Sequence, residues 1–167
     1  AVGLTWLRAR DDVDPSRVVL VGHSVGAGAC LLVASRDNGV AGVVSIASMA
    51  HPGAFMARVI GKRLPGPLTT LALRYVERTI GQRFETFAPV HTIGRFQAPV
   101  LLVHGDRDTT VPVADAYELR SQAPGRTRLV VVEGAGHASI GGFLEEIVPD
   151  LLEFRRAAGV PAPPDGR

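Results

Sequence analysis

An α/β fold, a mostly parallel sheet with helices on both faces, is predicted by three features of this sequence. Short runs of branched apolar residues alternate with stretches of helical period. The runs are apolar throughout rather than at every second residue, which marks strands covered on both sides. The connections between runs are long enough to cross a sheet and return parallel.

Each element can be justified in order. Val2, Leu4, Trp6 and Leu7 read as the end of an amphipathic helix. Asp11 to Arg17 is a polar turn, broken by Asp14-Pro15. Val18 to Val21 is the first strand, read as buried on both faces, and the Ala- and Leu-rich run to Ala34 is a buried helix. Asn38-Gly39 stops that helix, and Val40 to Ala47 is the second strand. Residues 53–97 lose the strand signal. Leu68, Leu71, Tyr75, Val76 and Ile80 recur at helical spacing there, so a helix is expected from Pro67 to Arg83, with a shorter one at Phe55 to Ile60. Pro99 to His104 is the third strand, and a helix is expected to end near Ser121. Leu129 to Val132 is the fourth strand. Ile140 to Ala158 keeps helical period, with Pro149 expected to kink or split it. Residues 159–167 are Pro-rich and read as a flexible tail.

Composition narrows the function classes. The 167 residues carry a formal charge of only +2, which argues against a nucleic-acid partner. No apolar run is long enough for a membrane span. Cys30 is the single cysteine, so a disulfide within the chain is impossible and a core role is expected. A cytoplasmic location is the default expectation, with any signal peptide lying upstream. The stretch 53–97 holds seven basic residues, Arg58, Lys62, Arg63, Arg74, Arg78, Arg83 and Arg95, against Glu77 and Glu85. That excess reads as a solvated face, or as attraction for an anionic substrate or surface.

The chemistry concentrates at Gly22-His23-Ser24-Val25-Gly26, a G-x-S-x-G pattern between a strand and a helix. The bare pattern arises by chance in roughly one chain in ten of this composition. The strand before it, the helix after it and the partners downstream give it weight. Gly22 and Gly26 suit a corner where a Cβ would collide with backbone. A serine hydroxyl needs a base to become a nucleophile, and an imidazole needs a carboxylate to fix its tautomer. Asp108 and His137 supply these, on loops after later strands, with Asp106 as the competing acid. The Val25 N–H, opening the helix, would face a developing oxyanion. His51 follows the second strand and is a candidate to line the substrate pocket. His23 reads as a packing or hydrogen-bonding residue, His104 as structural, and His91 carries no signal. No histidine pair has metal-ligand spacing, so neither metal nor cofactor is expected.

Taken together, residues 1–158 resemble the C-terminal half of an α/β-hydrolase domain, nearest to its esterase, dienelactone-hydrolase and serine-peptidase-like branches. Gly22 to Gly26 resembles the nucleophile elbow. His104-Gly105-Asp106-Arg107-Asp108-Thr109-Thr110-Val111-Pro112 resembles the H-G-x-x-D-x-x-V-P loop bearing the triad acid, which favours Asp108. Gly134-Ala135-Gly136-His137 resembles the loop bearing the histidine. Residues 53–97 fall where the family places its variable cap. The resemblance implies a serine hydrolase that cleaves a carboxylic ester or related small acyl substrate through an acyl-enzyme. A peptidase or thioesterase on the same triad, or a non-catalytic binding protein, are the alternatives. The family's first four strands, and the loop giving the second oxyanion donor, have no counterpart here. The chain therefore reads as a fragment, with Val18 to Val21 expected as an exposed apolar edge.

Overall fold

Among the described residues, four strands form one sheet in the order β1-β2-β3-β4, every neighbouring pair parallel. They are β1 (Val19–His23), β2 (Gly42–Ile46), β3 (Val100–Gly105) and β4 (Thr127–Val132). The computed structural model describes residues 2–161. Spatial order equals chain order, so each connection crosses from one strand to the next by way of helix. α1 (Val2–Arg8) precedes the sheet; α2 (Val25–Ala34) joins β1 to β2. Four helices, α3 (Pro52–Gly61), α4 (Gly66–Ile80), α5 (Phe84–Phe87) and α6 (Pro89–Thr92), lie between β2 and β3. α7 (Val113–Gln122) joins β3 to β4, and α8 (Leu144–Ala157) follows β4.

Alternation along the strands builds two cores. Val43, Val100 and Leu102 face a cluster with Leu4 of α1, Leu31 of α2 and Leu119 of α7. Val44, Leu101 and Val103 face the opposite way, onto Ile147 and Phe154 of α8. Helices thus cover both faces, and β3, flanked by strands on both sides, has all six residues buried. Cys30 is partly buried against the first core, and burial pushes its thiol pKa up.

Two expectations are corrected. β1 is not buried on both faces: Val18 is buried, but Val21 is 63% exposed. The reason is its place at the sheet margin, where β2 is its one partner strand among the described residues. Of the apolar edge expected at Val18 to Val21, Val21 is exposed, Val19 and Leu20 are partly buried and Val18 is buried. Pro149 does not split α8, which runs unbroken through it. Its missing N–H would have bonded the carbonyl four residues back, at Glu145 in the first turn, so the loss falls near a helix end. The expected tail lies outside the described residues from position 162 on.

Candidate active site

β1 ends at His23 and α2 begins at Val25, which leaves one residue, Ser24, to make the corner. Its backbone has φ 55° and ψ −119°, a region that a side chain makes costly by about 1–3 kcal/mol. The surroundings impose it. Ser24 N–H donates to the carbonyl of Ile46 at 2.8 Å, and the Ser24 carbonyl accepts from Ala27 N at 3.1 Å. A Cβ on Gly22 would stand 2.4 Å from the carbonyl oxygen of Gly26, so only glycine lets the strand approach the new helix so closely. Gly26 differs from expectation: apart from its chain neighbours and the backbone of its own helix, a Cβ there meets no described atom within 4 Å.

The corner holds Ser24 Oγ 3.0 Å from His137 Nε2, while His137 Nδ1 stands 2.7 Å from Asp108 Oδ2. A carboxylate only accepts, so Nδ1 carries the proton. In the neutral ring Nε2 is then the acceptor, and the Ser24 hydroxyl donates to it. The other oxygen, Asp108 Oδ1, accepts from the N–H groups of Thr110 and Val111, each at 2.8 Å. The Asp108 side chain is fully buried. Burial pushes its pKa up, but the Val111 N–H, the His137 ring and the Thr110 N–H outweigh it, and the net shift is downward. The carboxylate is therefore charged, oriented and shielded from water.

The loops bearing Asp108 and His137 are braced on each other. Asp106 does not reach His137; its Oδ1 accepts from Gly134 N at 2.7 Å. Arg107 N donates to the Ala135 carbonyl at 3.0 Å. Gly105 lies so near that a Cβ on it would stand 2.1 Å from the same carbonyl oxygen. His23 Nε2 bonds the carbonyl of His137 at 2.9 Å, which requires that nitrogen to carry its proton. His104 donates from Nε2 to the Val111 carbonyl at 2.9 Å inside the acid loop, as a structural residue would. His23 is thus a hydrogen-bonding residue, as its place in the motif suggested, whereas the bracing role of Asp106 carried no sequence signal beyond its position beside the motif residues.

A cleft of about 290 Å³ opens beside Ser24. Its walls are apolar: Leu32 of α2, Phe55 and Met56 of α3, Phe84 and Phe87 of α5, and Met49 after β2. His51 is not among its lining residues, contrary to expectation. Its Nε2 turns instead to Glu118 Oε1 of α7, 2.8 Å away, so its ring is taken up in joining α3 to α7. His91 pairs in the same way with Glu85 at 2.9 Å. Among the described residues, no group of three or more His, Cys, Asp or Glu is arranged to hold a metal ion. None of their helices is long and apolar enough to cross a membrane.

A model of the prolyl oligopeptidase family matches residues 1–154 of this sequence. The chain belongs to that family. An uncharacterized protein of Mycobacterium tuberculosis is 32% identical over 151 residues, which cover 90% of this chain and 45% of that protein. The human alpha/beta hydrolase domain-containing protein 17C is 27% identical over 135 residues, 80% of this chain and 35% of its own. The chain thus spans less than half the length of these relatives. Among solved structures, a Pyrococcus furiosus esterase superposes with a TM-score of 0.65 at 23% identity, covering 92% of this chain and 58% of that one. A puromycin-hydrolyzing peptidase of Mycobacterium tuberculosis gives 0.71 at 20% identity, covering 98% and 25%. The four-stranded parallel sheet with its helices is accordingly part of an α/β-hydrolase domain.

Proposed function

We propose that the full-length protein is a serine hydrolase that cleaves a carboxylic ester or related acyl compound, with Ser24 as nucleophile. The observation that carries this reading is the unbroken hydrogen-bonded chain from Asp108 through His137 to Ser24, on a strained corner beside an apolar cleft. His137 Nε2 takes the hydroxyl proton as Ser24 Oγ bonds to the acyl carbon. Asp108 steadies the imidazolium that results. The Val25 N–H, at the first position of α2, has no carbonyl one turn back to bond and meets the oxyanion. The proton then passes to the departing alcohol, which leaves an acyl-Ser24 ester. Water, deprotonated by the same imidazole, releases the acid and restores the serine.

The apolar lining favours an uncharged acyl group over a peptide gripped by its charges. Within residues 53–97, α3 and α5 act as the cap that shapes this cleft, and α4 adds no residue to its lining. The family match keeps a peptidase or thioesterase on the same residues as the second reading. A fluorophosphonate probe on the full-length protein tests the first step: it should label the wild type and not Ser24→Ala. Turnover of p-nitrophenyl esters against peptide anilides then separates the two readings. Labelling that persists in Ser24→Ala would end the proposal.

A further inference from the structure

α4 is built with two apolar faces, of which the fold uses one. Thr69 is buried and Ala72, Leu73 and Val76 are half-buried where the helix packs on α3. Leu68, Leu71 and Tyr75 recur at three- and four-residue steps on another side and are 50%, 64% and 71% exposed. Exposed single leucines are ordinary, but a contiguous stripe along one helix marks a surface that meets something.

Charge says what it meets. Arg74 and Arg78, four residues apart, border the stripe, and Lys62 and Arg63 are exposed just before the helix. None of these four is in an ion pair among the described residues. Glu77 is the one carboxylate between positions 62 and 83, and it is occupied in accepting from Phe84 N at 2.9 Å. A second copy docked symmetrically through this face would set Arg74 and Arg78 against their own like charges. A soluble polyanion would leave Leu68, Leu71 and Tyr75 in water. A surface with negative headgroups over an apolar interior satisfies both sets.

We infer that α4 is an interfacial helix that docks this protein onto an anionic lipid surface, with Leu68, Leu71 and Tyr75 inserted and Arg74 and Arg78 at the headgroups. This goes beyond the proposed hydrolysis and does not depend on it, because binding is read apart from turnover. The test is flotation of the full-length protein with vesicles of phosphatidylcholine, with and without phosphatidylserine, at low and high salt. Binding should need phosphatidylserine and weaken with salt. Arg74→Gln with Arg78→Gln should lower the partition coefficient by roughly tenfold or more. Leu71→Ser with Tyr75→Ser should abolish binding to either vesicle, with the melting temperature and the turnover of a water-soluble ester unchanged. Failure of the full-length wild type to bind phosphatidylserine vesicles would overturn the inference and point to the rest of the chain as the cover. Variants that bind like the wild type would overturn it too. So would a concentration-dependent dimer that Leu71→Ser with Tyr75→Ser dissolves, which would assign the face to a second copy.

Discussion

His23 Nε2 donates to the backbone carbonyl of His137 across 2.9 Å, and their rings lie 4.9 Å apart, tilted at 47°. The residue beside the serine thereby holds the loop that carries the imidazole. A neutral hydrogen bond contributes about 0.5–1.5 kcal/mol net, so His23→Phe should lower kcat by roughly threefold to tenfold. KM for a small ester should change little, and the melting temperature should fall by no more than a few degrees. A variant with full kcat would show that the Gly134 and Ala135 contacts position His137 without help.

The two neighbouring aspartates should separate cleanly. Asp108→Asn presents an amide to His137 Nδ1 and favours the wrong tautomer, a change that costs about 10⁴ in kcat in Ser-His-Asp enzymes. Asp106→Asn keeps an oxygen that can accept from Gly134 N, and should cost less than about tenfold. Steady-state ester turnover of the two full-length variants decides the matter. If Asp106→Asn were the more damaging, the assignment of Asp108 would fail.

Asp108 also makes stability depend on pH. Its folded pKa is lowered, so between the folded and the ordinary carboxylate value the unfolded chain binds more protons. Stability from this group is therefore present above the ordinary carboxylate value and lost as pH falls through the folded one. Melting temperatures taken from neutral pH down to about 3 should show a shallower acid limb for Asp108→Asn than for the wild type. Parallel limbs would mean that Asp108 contributes nothing to acid unfolding.

Gly105 should tolerate no side chain. The 2.1 Å approach of its would-be Cβ to the Ala135 oxygen meets backbone, which cannot swing aside as a long side chain can. Gly105→Ala must part the β3 loop from the β4 loop, and with it Asp108 from His137. A melting temperature lower by several degrees and a loss of turnover are expected together. A variant as stable and active as the wild type would show that the two loops can separate without consequence.

Much of this was legible in the sequence because the informative residues are local in the chain. Strands β1 to β4 announced themselves as continuous apolar runs, and Ser24, Asp108 and His137 each sit in a short pattern with its own strand before it. What escaped was set by packing between distant segments. The cleft wall joins Phe55 and Met56 to Phe84 and Phe87 across a loop and a whole helix, which no local spacing reveals. His51 lies close to the site in sequence terms, yet a carboxylate on α7, 67 residues away, claims its ring. The exposure of Val21 was legible only through the strand order that the resemblance implied, because the apolar run taken alone reads as buried on both faces.

The long separation between Ser24 and His137 has a consequence for how the protein is made. The two are 113 residues apart, and β4 follows β3 directly in both space and chain order. Ribosomes add about 5–20 residues per second, so the serine leaves the peptidyl-transferase centre roughly 6–23 seconds before its imidazole is synthesised. Throughout that interval Ser24 lacks the imidazole to which its hydroxyl donates in the folded protein. Under the proposed mechanism the nascent hydroxyl stays unactivated until the segment after β4 has been made.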